Sequence, residues 1–285
     1  MDRCTLCKKI QHMIDVPKEF MPTINTVYPW ENYTIFEEWV SKRFIPDFNG
    51  RNYLRIHWTS YHVNNNYGND PVARKALQDY VDSLPRENRY WTICQYDDGV
   101  LVDFKDLDVL VFNMSKKEGV EIPLLCMPHS FEWNGEKSII GSFVGTHTHP
   151  IREHVFNINH KDFYISDKEH DVNSFCNIVS QSVFGLCPRG YGLNSFRIAE
   201  CLQYETIPVY ISDKFVNCFD ADFEEYGVII EEKDAHRIVE ILKDISDVEI
   251  VEKQLKIKDI YNKYYTYQGA LNNIIKKLNE DCDNS

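Results

Sequence analysis

The 285 residues are 43% hydrophobic and 26% charged, which is enough apolar material for packed cores and excludes a disordered chain; the length predicts two lobes of about 130–150 residues. Lysine and arginine number 31 against 44 acidic residues, a net charge of -13, and an acidic chain without a basic cluster repels phosphate backbones, so no nucleic-acid partner is expected. Nine scattered cysteines, no signal-peptide apolar run and no stretch near the roughly 18 apolar residues of a membrane span predict reduced thiols in a soluble, cytoplasmic protein with no membrane anchor.

In chain order, the branched and aromatic runs Tyr53 to Trp58 and Tyr90 to Tyr96 predict buried strands. A helix is expected between them, from Pro71 to Leu84, with Val72, Ala76, Leu77 and Tyr80 towards one face. Short strands follow at Val109 to Phe112 and Pro123 to Met127. A second set opens with the strand Ile139 to Gly145, a helix from about Pro150 and the strand Ser182 to Pro188. It continues through a glycine-rich turn, a helix near Asn194, and strands at Ile207 to Ser212 and Gly227 to Glu231. An amphipathic helix at Ala235 to Ile245 and a helical stretch from Val248 to Leu278 complete the chain. Such alternation, twice over, predicts an α/β protein of two lobes, residues 1–135 and 136–250, with 251–285 a helical segment packing back on the first lobe.

The segment richest in chemistry runs from Ser182 to Asp213. A strand ending at Pro188 turns through Arg189, Gly190, Tyr191 and Gly192 into a helix, with Asn194 the expected N-cap and Ser195 in the first turn. Glycines let backbone approach a ligand, and a helix N-terminus offers free N–H groups and a positive dipole end. Arg189 and Arg197 add two cations suited to a diphosphate. Glu200 falls three residues after Arg197, on the same helical face, where a carboxylate can accept from ribose hydroxyls. The same pattern also serves simply to close a strand–helix turn, with Arg197 and Glu200 a surface ion pair.

This segment resembles the signature of the exostosin-like glycosyltransferases, glycosyltransferase family 47. The matching residues are Pro188, Arg189 and Gly190, then Ser195, Arg197 and Glu200, then Ile207, Pro208, Val209 and Asp213. The resemblance continues more weakly upstream, through the strand ending at Gly145 with Arg152 after it, and through the aromatic strand ending at Asp97 and Gly99, where Tyr96 stands in place of a histidine. It implies a GT-B fold of two Rossmann-like lobes facing across a cleft, and inversion at the anomeric carbon. It implies a UDP-sugar donor held by Gly145, Arg152, Pro188, Arg189, Gly190, Asn194, Ser195, Phe196, Arg197 and Glu200, with no metal or other cofactor. An oligosaccharide or glycoprotein acceptor is implied on the N-terminal side. Among short anchorless members it is most similar to the xylosyltransferase type of large algal DNA viruses, which implies xylose as the sugar. Two features depart from the family: Glu205-Thr206 replaces the glycine usual before Ile-Pro-Val, and no anchor is expected.

An inverting transfer needs a base, and Asp97, Asp98, His57 and His62 fall where a loop after an N-lobe strand could supply one. The resemblance favours Asp97. Cys4-x-x-Cys7 lacks a second pair to complete a zinc site, and the Asp-x-Asp pairs at 106–108 and 220–222 are expected by chance in so acidic a chain. Trp30, Trp58 and Tyr61 are candidates for a sugar-stacking platform or for core packing. Two rival functions stay open: a catalytically inactive nucleotide-sugar or glycan-binding module, and a metal-dependent hydrolase using His147 and His149.

Overall fold

The computed structural model describes residues 14–24, 34–43, 50–114, 119–215 and 218–283; Cys4, Cys7 and Trp30 lie outside the described residues. The first sheet holds β1 (Arg51–Tyr53), β2 (Arg89–Cys94), β3 (Asp108–Asn113) and β4 (Val120–Glu121), all parallel and in sequence order. Its neighbours are α1 (Phe36–Ser41), α2 (Trp58–Asn64) and α3 (Pro71–Asp82). Along β2 the side chains alternate: Trp91 and Ile93 enter one buried cluster, Tyr90 and Cys94 another. The sheet is therefore covered on both faces, as a parallel sheet requires.

Helix α3 starts where Asp70 accepts from the Val72 and Ala73 amides, with Pro71 at its first position. It buries Leu77 and Val81, whereas Val72, expected on that face, is 77% exposed. The strand expected from Tyr53 to Trp58 is also corrected. The ladder ends at Tyr53, the Ile56 amide bonds back to Leu54 O, and Trp58 opens α2 with its indole donating to Thr92 Oγ1 at 2.8 Å. The Leu54 amide makes the last bond to β2, donating to Trp91 O at 2.8 Å, whereas Ile56 is buried with its amide turned back on its own chain; a short apolar run reports burial rather than ladder geometry. The same holds at Pro123 to Met127, where Leu125 O accepts from the Gln95 side chain instead of a neighbouring strand.

The second sheet contains β5 (Ile139–Val144), β6 (Phe163–Ser166), β7 (Ser182–Pro188), β8 (Ile207–Ile211) and β9 (Val228–Ile230), all parallel in the order β6-β5-β7-β8-β9. It is flanked by α4 (Ile151–Phe156), α5 (Val172–Ser180), α6 (Phe196–Leu202) and α7 (Ile238–Asp244). Strand β6 and helix α5 are additions to the sequence reading. The helix expected over Ala235 to Ile245 is a 3-10 turn, Glu232–Arg237, followed by α7. Helix α8 (Asp247–Ile260) passes through a π-helical turn into α9 (Tyr267–Asp283). At the start of α9 the Tyr267 hydroxyl donates to Thr34 O at 2.6 Å, and its ring packs on Phe36 and Trp39 of α1. One buried cluster joins Phe112 of the first sheet, Phe184 and Tyr210 of the second and Leu271 of α9. Two parallel α/β sheets joined in this way form the GT-B architecture. Cys94, Cys126, Cys176, Cys187, Cys201 and Cys218 are buried free thiols. Among the described residues no helix is long and apolar enough to cross a membrane.

Helix α6 ends without glycine. Glu205 takes the left-handed conformation (φ 53°), and the Thr206 amide closes back on Cys201 O at 3.1 Å. The Lys137 ammonium donates to Tyr204 O at 2.6 Å and Thr206 Oγ1 at 2.8 Å, and burial pulls that lysine down to about 7. A left-handed L-residue costs about 1–2 kcal/mol, and a glycine costs about 0.5–1 kcal/mol in chain entropy. Glu205→Gly is therefore expected to stabilise the fold by about 0.5–1 kcal/mol; a fall in melting temperature would contradict this account of the cap.

Candidate active site

In the second sheet the chain leaves β5 first to one side, towards β6, and then to the other, towards β7. Such a reversal opens a crevice beyond the carboxyl ends of the two central strands, where open α/β sheets bind ligands. Gly145 leads the chain out of β5, and a Cβ there would lie 2.7 Å from the Phe143 ring, so only glycine lets the backbone cross it. Pro188 ends β7, and Arg189 follows.

Arg152, on α4, stitches the two strand ends together. Its Nη1 donates to Thr146 O at 2.8 Å, its Nε to Arg189 O at 3.1 Å and its Nη2 to Pro188 O at 3.4 Å. Only 9% of it is exposed, and burial, reinforced by the Arg197 charge, pulls the guanidinium down to about 10. Gly190 sits against it, its Cβ position 3.2 Å from Arg152 Nη2. Arg189 folds over the turn and donates to Tyr191 O at 3.1 Å.

Asn194 is not the N-cap. That position belongs to Ser195, whose side chain makes no capping bond, while Asn194 donates across to Met114 O at the end of β3, joining the lobes. Phe196 opens α6 and packs partly buried on the core. Arg197 donates from Nη1 to Glu200 Oε2 at 2.9 Å and lies over Phe175 and Phe143, 4.9 and 5.7 Å from the ring centroids. Its Nε is buried with no hydrogen-bond partner among the described residues. Glu200 is 1% exposed, and its Oε1 lies 3.8 Å from His129 Nε2. Sequence reasoning missed His129, Phe143 and Phe175: each comes from a segment distant from the motif, and none stands in a spacing that points to it.

Asp97 lies in the turn after β2, half-buried, with its carboxylate against the Arg189–Asn194 turn of the other lobe. A Cβ on Gly192 would lie 2.2 Å from Asp97 Oδ1, so the close approach depends on glycine. The turn is anchored one residue after the strand. The Gln95 amide donates to Glu37, and the Gln95 side chain accepts from the Phe36 amide at 3.0 Å and donates to Leu125 O at 3.1 Å.

The other base candidates are placed differently. His57 is buried with Nδ1 2.8 Å from Pro22 O and Nε2 2.7 Å from Ser41 Oγ, and burial holds it below its usual value. His62 packs behind Tyr96 with Nε2 2.9 Å from Val100 O, pushed down to about 4 by burial. Asp98 faces the Tyr191 hydroxyl. Trp58 and Tyr61 are core side chains, 0% and 6% exposed, so they present no open face to a sugar. His147 pairs with Glu153 at 2.5 Å and Asp167 at 3.5 Å and stacks on Phe156; the carboxylates hold it above its usual value. His149 accepts from the Ile151 amide and is lowered by burial and by Arg189. Among the described residues no group of three or more His, Cys, Asp or Glu side chains is arranged to hold a metal.

Residues 52–245 match the family model of the exostosin GT47 domain. An exostosin-1 homolog of Caenorhabditis elegans is 29% identical over 119 residues, 41% of this chain and 31% of its own. A probable beta-1,4-xylosyltransferase, IRX10, of Arabidopsis thaliana is 38% identical over 78 residues, 27% of this chain and 19% of its own. The chain thus matches about a third or less of these relatives' length. Among solved structures, an alpha-glucosyltransferase in complex with UDP and a 13-mer DNA containing a HMU base aligns with a TM-score of 0.43 at 10% identity, over 73% of this chain and 76% of that one.

Proposed function

The chain belongs to the exostosin GT47 family of glycosyltransferases, and from that premise we propose an inverting transfer of a sugar from a UDP-sugar to a glycan hydroxyl, with no metal or other cofactor. The carrying observation is the accumulation of guanidinium charge in the crevice between β5 and β7. Arg152 and Arg197 lie over the same Phe143 ring, 5.6 and 5.7 Å from its centroid, and Arg197 depresses Arg152. A diphosphate at the rim, beside Arg189, relieves that repulsion and offers an acceptor to the buried Arg197 Nε. Glu200 is the proposed ribose holder, and Gly145, Pro188, Gly190, Asn194, Ser195 and Phe196 form the walls. The -13 net charge supports an oligosaccharide or glycoprotein acceptor over a nucleic acid.

The chemistry assigned to these residues balances simply. The acceptor oxygen bonds to the anomeric carbon from the face opposite the diphosphate, and its proton passes to the Asp97 carboxylate. The bond from that carbon to the β-phosphate oxygen breaks, and the electron pair leaves on the diphosphate, stabilised by Arg189 and Arg197. Xylose is the first donor to test.

The test is thermal denaturation with UDP and UDP-xylose, each with and without EDTA. A ligand at one hundred times its Kd stabilises by about 2.7 kcal/mol, a rise of roughly 5 °C or more for a chain of this size. The rise is expected to survive EDTA and to shrink to little or nothing in Arg189→Ala, whose side chain carries no core packing. No shift with UDP or UDP-xylose would overturn the reading.

A further inference from the structure

Two of the large side chains left most exposed are tyrosines from opposite lobes, Tyr67 (61%) and Tyr191 (68%). Both are fastened to the turn that carries Asp97. The Tyr96 hydroxyl donates to Tyr67 O at 2.9 Å, and the Tyr191 hydroxyl lies 3.2 and 3.3 Å from the two Asp98 carboxylate oxygens. Tyr96 is pushed up to about 12, first by burial and then by the charges of its neighbours.

The turn presenting Tyr67 is strained. Asn66 and Tyr67 both have φ 53°, Gly68 has φ 72°, and Leu101, itself at φ 53°, packs over Gly68. A bulky residue in the left-handed region is an outlier that costs about 1–2 kcal/mol. Burial of the ring does not offset that cost, because most of the ring faces solvent. Strain of this kind, held in place by surrounding contacts, concentrates where a side chain is presented to a ligand.

We propose that Tyr67, Tyr191 and Asp98 form the acceptor subsite, and that it takes a neutral oligosaccharide of pyranose units; the proposal rests on the glycosyltransferase reading above. Aromatic faces stack on the apolar C–H faces of pyranose rings, and a carboxylate accepts from their hydroxyls. Asp97 and Asp98 together disfavour a uronic-acid polymer by like-charge repulsion. The subsite straddles the cleft beside the proposed base, so a hydroxyl of the bound sugar comes within reach of Asp97.

Isothermal titration of the full chain with xylohexaose and cellohexaose, and with hexagalacturonic acid as the anionic counterpart, tests this. A neutral hexasaccharide is expected to bind and the anionic one not. Tyr191→Ala and Tyr67→Asn, the latter suited to a left-handed position, are expected to weaken binding at least tenfold. The UDP-induced rise in melting temperature reports separately that each variant folds and that the donor side is intact. Preference for the hexauronate, binding by neither neutral sugar, or variants within twofold of wild type would overturn the subsite. A UDP shift alongside any of those results would leave the donor reading standing, whereas oligosaccharide binding without a UDP shift would remove the donor reading and keep the subsite.

Discussion

Asp97→Asn is expected to lower transfer about 10²- to 10⁴-fold while leaving UDP affinity within twofold, the span of a lost general base. The amide keeps the size of the carboxylate, so the contact with Gly192 and the join between the lobes persist. What it loses is the capacity to take the acceptor proton. The two histidines are not placed to replace it, since both His57 nitrogens are engaged in the core and His62 is buried behind Tyr96, and the adjacent Asp98 faces the Tyr191 hydroxyl. Radiolabelled transfer from UDP-xylose to an oligosaccharide, with UDP melting shifts in parallel, checks both halves. Activity within tenfold of wild type would take the base role from Asp97. A wild type that binds UDP and turns over no donor with any acceptor would favour the inactive binding module.

The segment proposed to hold the donor was legible as local structure because one continuous run, strand to turn to helix, carries Pro188, Arg189, Gly190, Arg197 and Glu200, and local rules place each on its element. Strands β5, β7, β8 and β9 followed from the same alternation of apolar runs and turns, whereas β6, a short edge strand, and α5 did not. The surroundings of the proposed base were less legible. Asp97 meets the Arg189–Asn194 turn only because Gly192, 95 residues later, has no side chain there. His129 and the two phenylalanines beneath Arg197 are likewise joined to the motif only by tertiary packing. Asn194 shows how a local rule fails: its type suits a cap, but its amide satisfies Met114 O in the other lobe, and Ser195 takes the capping position without a side-chain bond. In the N-terminal lobe, Leu54, Ile56, Trp58 and Leu124 to Cys126 are apolar because they are buried, and burial alone does not distinguish a ladder from a packed loop.

Glu37→Gln is expected to change the pH dependence of stability, because Glu37 is the buried group that fixes the base of the Asp97 turn. It has 0% exposure on α1 and accepts from the Thr59 amide at 2.9 Å, from Thr59 Oγ1 at 2.8 Å and from the Gln95 amide. Those donors favour the carboxylate, but desolvation outweighs them, and with Glu38 adjacent the group is pushed up to about 8. Its native value lies above the unfolded one, so the native state holds a proton that the unfolded chain releases. The resulting stability is fully present below about 4.5 and is lost as pH rises through about 8. Lys137, lowered to about 7, acts in the opposite sense above that pH, and the lowered His57 and His62 do so below 6.5. The quantity to measure is therefore the difference between wild type and Glu37→Gln, in which those contributions cancel. From pH 5.5 to 8.5 that difference should move against the wild type by about 3 kcal/mol, the linkage expected of one such group. The amide also turns an N–H towards a donor, which lowers the variant at every pH and leaves the slope intact. Urea denaturation at four pH values across this range decides the matter. Parallel curves would mean that Glu37 is ionised in the folded protein and that the three donors, not burial, set its charge.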